Sequence, residues 1–317
     1  MTKVKEIQYS IIIPHYNTPA LLRRCLWSIP RREELQILVV DDKSDDEYLL
    51  ELNQLENDYP HVTFIYSEKN GGGGSARNIG LKYAEGNYVL FADADDFFNY
   101  CIADVLDKYI KETCDIVFFN ATYIDTETYL STERTPILNI LMCKYARNHD
   151  TSGLQYMFGE PWCKLIRRSL IEKYQLRFDE TPIHNDTRFS YMVGFYAKDI
   201  KVDNRGLYCL ADRSRSVSKA ISDYKMEVRL RVFSEKNKFF KDNKMPFFDN
   251  LMIVPFDYYL MRGDLEKAKK CFAVAAEYNF SKYFVWKKYI KYKGSEKIRR
   301  FLSRIIKLLY IIETLFR

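Results

Sequence analysis

Two hydrophobic patterns alternate along the first hundred residues. Apolar runs of five or six residues, the length of strands, stand between longer segments whose apolar residues recur every three or four positions. Tyr9-Ser-Ile-Ile-Ile13 is a β-branched run closed by Pro14. Leu35-Gln-Ile-Leu-Val-Val40, Val62-Thr-Phe-Ile-Tyr66 and Asn87-Tyr-Val-Leu-Phe-Ala92 are three more. Leu21, Leu22, Cys25, Leu26 and Ile29 mark a helix between the first two runs, with Thr18 suited to its N-cap and Pro19 to its first turn. Leu49, Leu52 and Leu55 mark a second helix, which Ser44 or Asp45 can cap, and a third opens from the glycines at 71–74 and runs through Ala84. Near-continuous apolar strands are buried on both faces. Their alternation with helices predicts a doubly wound, mostly parallel sheet with helices on both sides.

Beyond residue 98 the pattern loosens. It predicts a helix over 101–112, a strand at Asp115-Ile-Val-Phe-Phe119 and a polar, β-prone hairpin over 121–134. Helices follow at 153–158 and 168–174, and another carries Phe189, Met192 and Val193. Lys201-Val-Asp203 and Gly206-Leu-Tyr-Cys-Leu210 read as two short strands. Residues 224–317 read as wholly helical, with breaks near Pro246, Gly263 and Gly294. There is no internal repeat and no low-complexity linker. The expected organisation is an α/β domain over 1–220 and a helical region over 221–317.

Composition narrows the class. With 47% hydrophobic and 29% charged residues in 317, this is an ordinary globular chain with a core of normal size. Its 25 Tyr and 21 Phe suit stacking surfaces as well as cores. The seven cysteines are scattered, odd in number and without a C-x-x-C pair, which argues for reduced thiols and a cytoplasmic setting. No stretch has the order of a signal peptide or the ~18–20 apolar residues of a spanning helix. The formal charge of +6 is uneven: ten basic and two acidic residues between Lys287 and Arg317 carry +8, leaving the remainder at −2. A net acidic body speaks against nucleic acid as a partner.

Chemistry concentrates where the fourth strand ends, in Asp93, Asp95 and Asp96. Ligands collect at the carboxyl ends of strands in open α/β sheets, and three acids crowded there repel one another unless a cation sits among them. Hard oxygen donors suit Mg²⁺ or Mn²⁺. A solvated acidic turn capping the next helix is the plain alternative. The glycine run is similarly double-edged, since Gly71-x-Gly73-x-x-Ala76 fits a loose dinucleotide fingerprint. That fingerprint belongs after the first strand of its unit, where this chain has Pro14-His15-Tyr16 and no glycine. A loop lying close to a nucleotide, with the helix N-terminus and Arg77 facing negative charge, accounts for it more economically.

Several motifs then appear in order: Ser10-Ile-Ile-Ile-Pro14-x-Tyr16-Asn17, Val40-Asp41-Asp42-x-Ser44-x-Asp46, Asn70-x-Gly…Ala76-Arg77-Asn78-x-Gly80, Ala84-x-Gly86-x-Tyr88 and Asp93-x-Asp95-Asp96. Together they resemble the family 2 glycosyltransferases of the GT-A fold, closely over residues 8–98. A looser block, Trp162-x-Lys164-Leu165…Phe178-x-Glu180…Asp186-x-x-Phe189, extends the likeness to about residue 215.

The resemblance implies a Rossmann-like mixed sheet in which residues 1–98 form the nucleotide-sugar half and 99–220 the acceptor half. It places Pro14, Tyr16 and Asn17 beside the base, Asp42 with the support of Asp41 on uracil or ribose, and Gly72, Gly73, Arg77 and Asp93 along the nucleotide. Asp95, with Asp93, would hold Mn²⁺ or Mg²⁺. Asp96, Trp162, Lys164, Arg213 and Arg215 are candidates for acceptor or diphosphate contacts, although Trp162 is equally a core residue and Lys164 equally a surface charge. Asp186 matches the position of the catalytic base, while Asn185 departs from the Glu common in the family. Helix capping is the alternative role for Asp186, and Asp179 and Glu180 are its rivals as base.

The implied activity is inverting, metal-dependent transfer of a sugar from a nucleotide donor, UDP-linked, to a glycan or lipid-linked acceptor in surface polysaccharide synthesis. A nucleotidyltransferase would need a basic triphosphate motif in its first loop, and residues 14–19 hold no Lys or Arg. A non-catalytic glycan-binding or scaffolding subunit would not need Asp42, Asp95 and Asp186 together. Near the C-terminus, Ile298, Phe301, Leu302, Ile305, Leu309, Ile312 and Phe316 fall at helical spacing among Arg299, Arg300, Arg304 and Lys307. Such a basic amphipathic segment suits peripheral contact of 295–317 with the inner face of an anionic membrane, or packing within the chain or a homodimer.

Overall fold

The computed structural model describes residues 6–126, 128, 130–131, 137–212, 222–247 and 249–277. The chain divides into two compact units, 1–220 and 221–317.

The first unit is built on one eight-stranded sheet. Its elements are β1 (Tyr9–His15), α1 (Pro19–Trp27), β2 (Leu35–Asp41), α2 (Asp46–Asp58), β3 (Val62–Tyr66), α3 (Gly72–Tyr83), β4 (Tyr88–Phe91), β5 (Phe97–Phe98), α4 (Ile102–Tyr109), β6 (Ile116–Asp125), α5 (Ile137–Asn148), α6 (Ser152–Met157), β7 (Lys164–Arg167), α7 (Arg168–Lys173), α8 (Thr187–Tyr196) and β8 (Ile200–Asp212). The strand order is β3-β2-β1-β4-β7-β6-β8-β5. β1 to β4 run parallel, as do β6 and β8, while β7 and β5 run against their neighbours. This is the mixed, mostly parallel α/β sheet that the alternating pattern predicts.

β1, β2 and β4 are buried along almost their whole length, while the edge strand β3 is partly exposed. Ile11, Ile12, Ile13, Leu38, Val39, Val40, Val89 and Leu90 are buried to 2% exposure or less. Each such side chain contributes about 1.5–3 kcal/mol by leaving water. From β1 the chain steps outward to β2 and β3, then returns past β1 to β4. The β1/β4 boundary is therefore a topological switch point, where crossover connections part and leave a crevice.

Three elements differ from the pattern. The strands expected at 201–203 and 206–210 are one strand, β8, because a bulge against β6 absorbs Asn204 and Arg205: Phe119 faces Asp203, Asn120 faces Gly206 and Ala121 faces Tyr208. β6 runs on to Asp125, past the strand expected at 115–119, and an antiparallel bridge joins Ile124 to Ser131 within the segment read as a hairpin. Residues 137–148 form a helix, α5, that the reading above leaves out.

The second unit contains α9 (Asp223–Asp242), a 3-10 turn (Asn250–Ile253), α10 (Val254–Met261) and α11 (Leu265–Ala276). Ser222 and Asp264 cap α9 and α11 by accepting from the N–H groups of Lys225 and Lys267. Met226, Ile253, Phe256, Tyr259 and Cys271 form its core. Gly263, with φ of +79°, ends α10 where the sequence breaks. Among the described residues no helix is long and apolar enough to cross a membrane. All seven cysteines are free. The segment 295–317 lies outside the described residues.

Candidate active site

The carboxyl ends of β1 and β2 are laced into one wall. His15 Nε2 accepts from the Thr18 N–H at 3.2 Å, so the ring proton is on Nδ1, which donates to Asp41 at 2.8 Å. Ser44 adds its N–H and its hydroxyl to the same carboxylate, at 2.9 and 2.6 Å. Burial alone would raise the Asp41 carboxyl, but these bonds outweigh it and hold the group below its ordinary value. Asn17 takes a left-handed φ of 53° and closes the two loops. Its amide donates to Asp45 at 2.7 Å and accepts the Asp45 N–H at 2.8 Å. Pro14 lies inside β1, while the Tyr16 ring stands 44% exposed beside this wall.

Asp42 is buried and receives the N–H groups of Gly71 and Gly72 at 2.8 and 2.7 Å, one on each carboxylate oxygen. The glycine loop is thus folded onto the second strand by its own backbone. Gly72 needs its φ of +80° to present that amide. Burial raises the Asp42 carboxyl further than the two amides lower it. Gly73 lies next, against the end of the Arg77 side chain.

The acids after β4 form the predicted cluster. Carboxylate oxygens of Asp93, Asp95 and Asp96 lie within 4.8 Å of one another. Asp96 is fixed by the Ala211 N–H at 2.9 Å and by the Tyr208 hydroxyl, whose oxygen in turn accepts the Asp93 N–H at 2.7 Å. Burial first, then the like charges of Asp95 and Asp93, push the Asp96 carboxyl well above its usual range. A set of hard anionic oxygens under mutual repulsion fits a divalent cation such as Mg²⁺ or Mn²⁺.

Arg77 is committed to the protein's own groups. Its guanidinium forms an ion pair with Asp93, donates to Asn185 Oδ1 at 3.1 Å and lies 5.5 Å from the centre of the Phe178 ring. Asn78 holds the same stretch, donating to the Phe178 carbonyl and accepting the Phe178 N–H, both at 2.9 Å. α3 therefore ties the acid cluster to the segment 178–185 that leads into α8. Asp186 stands at the N-cap of α8, but its side chain makes no capping bond, so capping is not its role here. Burial, then the charge of Glu160, raise its carboxyl to about 6 against the pull of Arg77. The rivals are placed otherwise: Glu180 is exposed, and Asp179 lies 3.9 Å from Arg188.

Two expected contacts are corrected. Lys164 is only 2% exposed and donates to the carbonyls of Phe158 and Glu160 at 2.8 and 2.6 Å. It is neither a surface charge nor presented to a diphosphate, and it moulds the loop before β7 instead. Trp162 is buried, stacked on Tyr208 with centroids 5.8 Å apart, so it belongs to the core and has no face open to a sugar. Arg213 and Arg215 lie outside the described residues. Sequence reasoning passed over His15, Tyr208, Glu160 and Arg24, which donates to the Asp95 carbonyl. Apart from Thr18 beside His15 and the bonds within the 158–164 loop, their partners are 26 to 115 residues away in the chain. No local spacing announces them.

Comparison with known proteins bears on the family. The chain is 42% identical over 96 residues to the poly(ribitol-phosphate) beta-glucosyltransferase of Bacillus spizizenii, covering 29% of this chain and 15% of that protein. It is 28% identical over 223 residues to glycosyltransferase EpsJ of Bacillus subtilis, covering 66% of this chain and 62% of that one. The chain thus spans less than two thirds of the length of either relative. The structure of residues 1–349 of S. aureus TarS in complex with UDP-GlcNAc shares the fold, with a TM-score of 0.65 and 21% identity over 86% of this chain and 80% of that one. Residues 10–175, more than half of the chain, match the family described as Glycosyl transferase family 2, and the chain belongs to that family.

Proposed function

We propose that this glycosyltransferase moves a sugar with inversion from a UDP-linked donor to a glycan or lipid-linked acceptor of a cell-surface polymer, with Asp186 as the base. The observation that carries the reading is the Asp93–Arg77–Asn185 link. It binds a cation-ready acid cluster and a carboxylate of raised proton affinity into one site at the carboxyl ends of the strands. The relative named for poly(ribitol-phosphate) glucosylation and the neighbour solved with UDP-GlcNAc support the polymer and the nucleotide.

Each residue then has a task. Tyr16 offers an exposed ring for the base beside Pro14 and Asn17. Asp42 is oriented by Gly71 and Gly72, and an ionised carboxylate keeps acceptor capacity beyond those two bonds for uracil or ribose. Asp95, the position that the family resemblance marks as the direct ligand, holds the cation with Asp93, which also faces Arg77, and Asp96 braces the cluster. A bound Mn²⁺ or Mg²⁺ would stabilise the charge that develops on the departing diphosphate. Asp186 takes the acceptor hydroxyl's proton as the oxygen bonds to the sugar carbon and the old carbon–oxygen bond breaks, its electron pair leaving on the diphosphate. A carboxylate at about 6 is a stronger base than an ordinary Asp, and such help is typically worth ~10²–10⁴ in rate.

Purified protein with Mn²⁺ should be tested against a panel of nucleotide sugars. UDP-sugars should raise its melting temperature and be slowly hydrolysed. A response confined to GDP- or CMP-sugars would overturn the donor assignment.

A further inference from the structure

The loop before β7 carries a carboxylate to which the reaction above gives no part. Oε2 of Glu160 is buried and receives no hydrogen bond from the described residues. The loop is fastened on two sides. The Ser190 hydroxyl donates to the Gly159 carbonyl, and the Lys164 ammonium donates to the carbonyls of Phe158 and Glu160. Ser190 is one turn into α8, and its N–H donates to the Asp186 carbonyl at 2.9 Å. The bond that fixes the loop therefore fixes it to the helix that Asp186 heads. Gly159 is also close to that first turn: a Cβ there would lie 3.8 Å from the Thr187 hydroxyl.

The charged groups that act on Asp186 come from three elements: Glu160 from this loop, Arg77 from α3 and Asp93 from the end of β4. Glu160 leads among those charges, in keeping with a loop that is bonded to α8 through Ser190 and meets its first turn at Thr187. A buried carboxylate oxygen without a donor costs stability, and such exceptions call for an explanation such as a donor that arrives with a ligand. Beside a base that receives a hydroxyl, the obvious donor is a second hydroxyl.

We propose that Glu160 is a positioning residue of the acceptor subsite, its Oε2 receiving a hydroxyl next to the one that attacks. The acceptor must then present two neighbouring hydroxyls, one to each carboxylate, as the vicinal diol of a sugar ring or a polyol chain does. This inference rests on Asp186 receiving the attacking hydroxyl. Glu160 removes no proton; it turns the acceptor so that the attacking oxygen points at the sugar carbon. A site that binds a substrate hydroxyl discriminates strongly against analogues that lack it, because the buried acceptor is then left unpaired.

A binding measurement needs no donor. The full chain is labelled with ¹³C at its glutamate carboxyls, and the Glu160 signal is assigned by its loss in Glu160→Gln. Glycerol, ribitol and methyl glucoside are titrated against propan-1-ol. The polyols should shift the Glu160 signal, and propan-1-ol should not. A signal unmoved by all three polyols, or moved equally by propan-1-ol, overturns the proposal.

Turnover supplies the second readout, with the alcohols competing with water for the donor sugar. The wild type should favour glycerol over propan-1-ol at least tenfold. Glu160→Gln, which keeps the side chain's size, should bring that preference within about twofold while UDP affinity persists. An intact preference in Glu160→Gln overturns the role of Glu160 and leaves Asp186 as base. Wild-type transfer by Asp186→Asn removes the base itself, and the pairing of carboxylates with it.

Discussion

At the scale of single residues, the environment of Asp186 predicts opposite effects on stability and rate. Burial, then the charge of Glu160, hold its carboxyl at about 6, above the ordinary 3.8. Between those values the unfolded chain has lost a proton that the folded chain keeps. Stability therefore falls as pH rises through this window, and the penalty is complete above it. Asp186→Asn carries no charge to desolvate. It should melt higher than the wild type at pH 8, by an amount of order 1–3 kcal/mol, and converge with it as pH is lowered toward 4. An equal or lower melting temperature at pH 8 would show that the site imposes no such cost. Activity runs the other way, since the base must be ionised: kcat/KM should climb about tenfold per pH unit below 6 and level off above it. Asp186→Asn should keep UDP affinity and lose transfer by orders of magnitude. At the acid cluster, Asp95→Asn should abolish Mn²⁺-linked UDP binding in calorimetry while the circular dichroism spectrum stays unchanged. Undiminished Mn²⁺-linked affinity would assign the cation to other ligands.

At the scale of elements, the first turn of α3 depends on how closely it meets the segment before α8. A Cβ on Gly74 would fall 2.1 Å from the Asp179 carbonyl oxygen and 3.0 Å from Asn185 Cβ, so backbone would have to move. A Cβ on Gly73 meets only the Arg77 side-chain end, at 3.1 Å. Gly74→Ala should thus cost about 1–3 kcal/mol in urea unfolding and displace Asp186, whereas Gly73→Ala should cost less than half as much. Equal costs would mean that the α3 contact does not set the loop. The need for glycine at 72–74 shows in the sequence, but not the reason for each one. Gly72 serves a left-handed φ and Gly74 a contact with residues more than 100 positions away. β1 to β4 were legible because each is an apolar run closed by Pro, Asp or Ser, with helical repeats between them. β8 was not, because Asn204-Arg205-Gly206 reads as a break until β6 is there to pair across the bulge. α5 had a usable signal in the helical spacing of Leu138, Leu141 and Met142, all buried. Lys164 could not be read correctly, since lysine is rarely buried and only the folded loop supplies its carbonyl acceptors.

At the scale of the whole molecule, charge divides the chain more sharply than fold does. Residues 287–317 carry +8 and the rest −2. On the proposed reading the acid-rich end takes a cation and a nucleotide, and neither calls for a basic surface. The apolar residues from Ile298 to Phe316 recur at helical spacing within that basic segment, as in a helix that lies in a membrane interface. Each basic residue near an anionic leaflet is worth about 1 kcal/mol, so Arg299, Arg300, Arg304 and Lys307 would supply about 4 kcal/mol, a salt-sensitive share that holds only together with the apolar positions between them. A lipid-linked acceptor would be met on that surface, which gives the attachment a use. We therefore expect the full chain to co-sediment with vesicles containing phosphatidylserine or phosphatidylglycerol, to leave them as salt approaches 0.5 M, and to ignore neutral vesicles. A chain ending at Gly294 should lose this binding and keep its melting temperature and donor hydrolysis. If the apolar positions pack instead within the chain or between two copies, the same truncation would lower the melting temperature or halve the mass in solution. Vesicle binding would then be weak before and after. Equal vesicle binding by both chains would place the contact elsewhere on the protein.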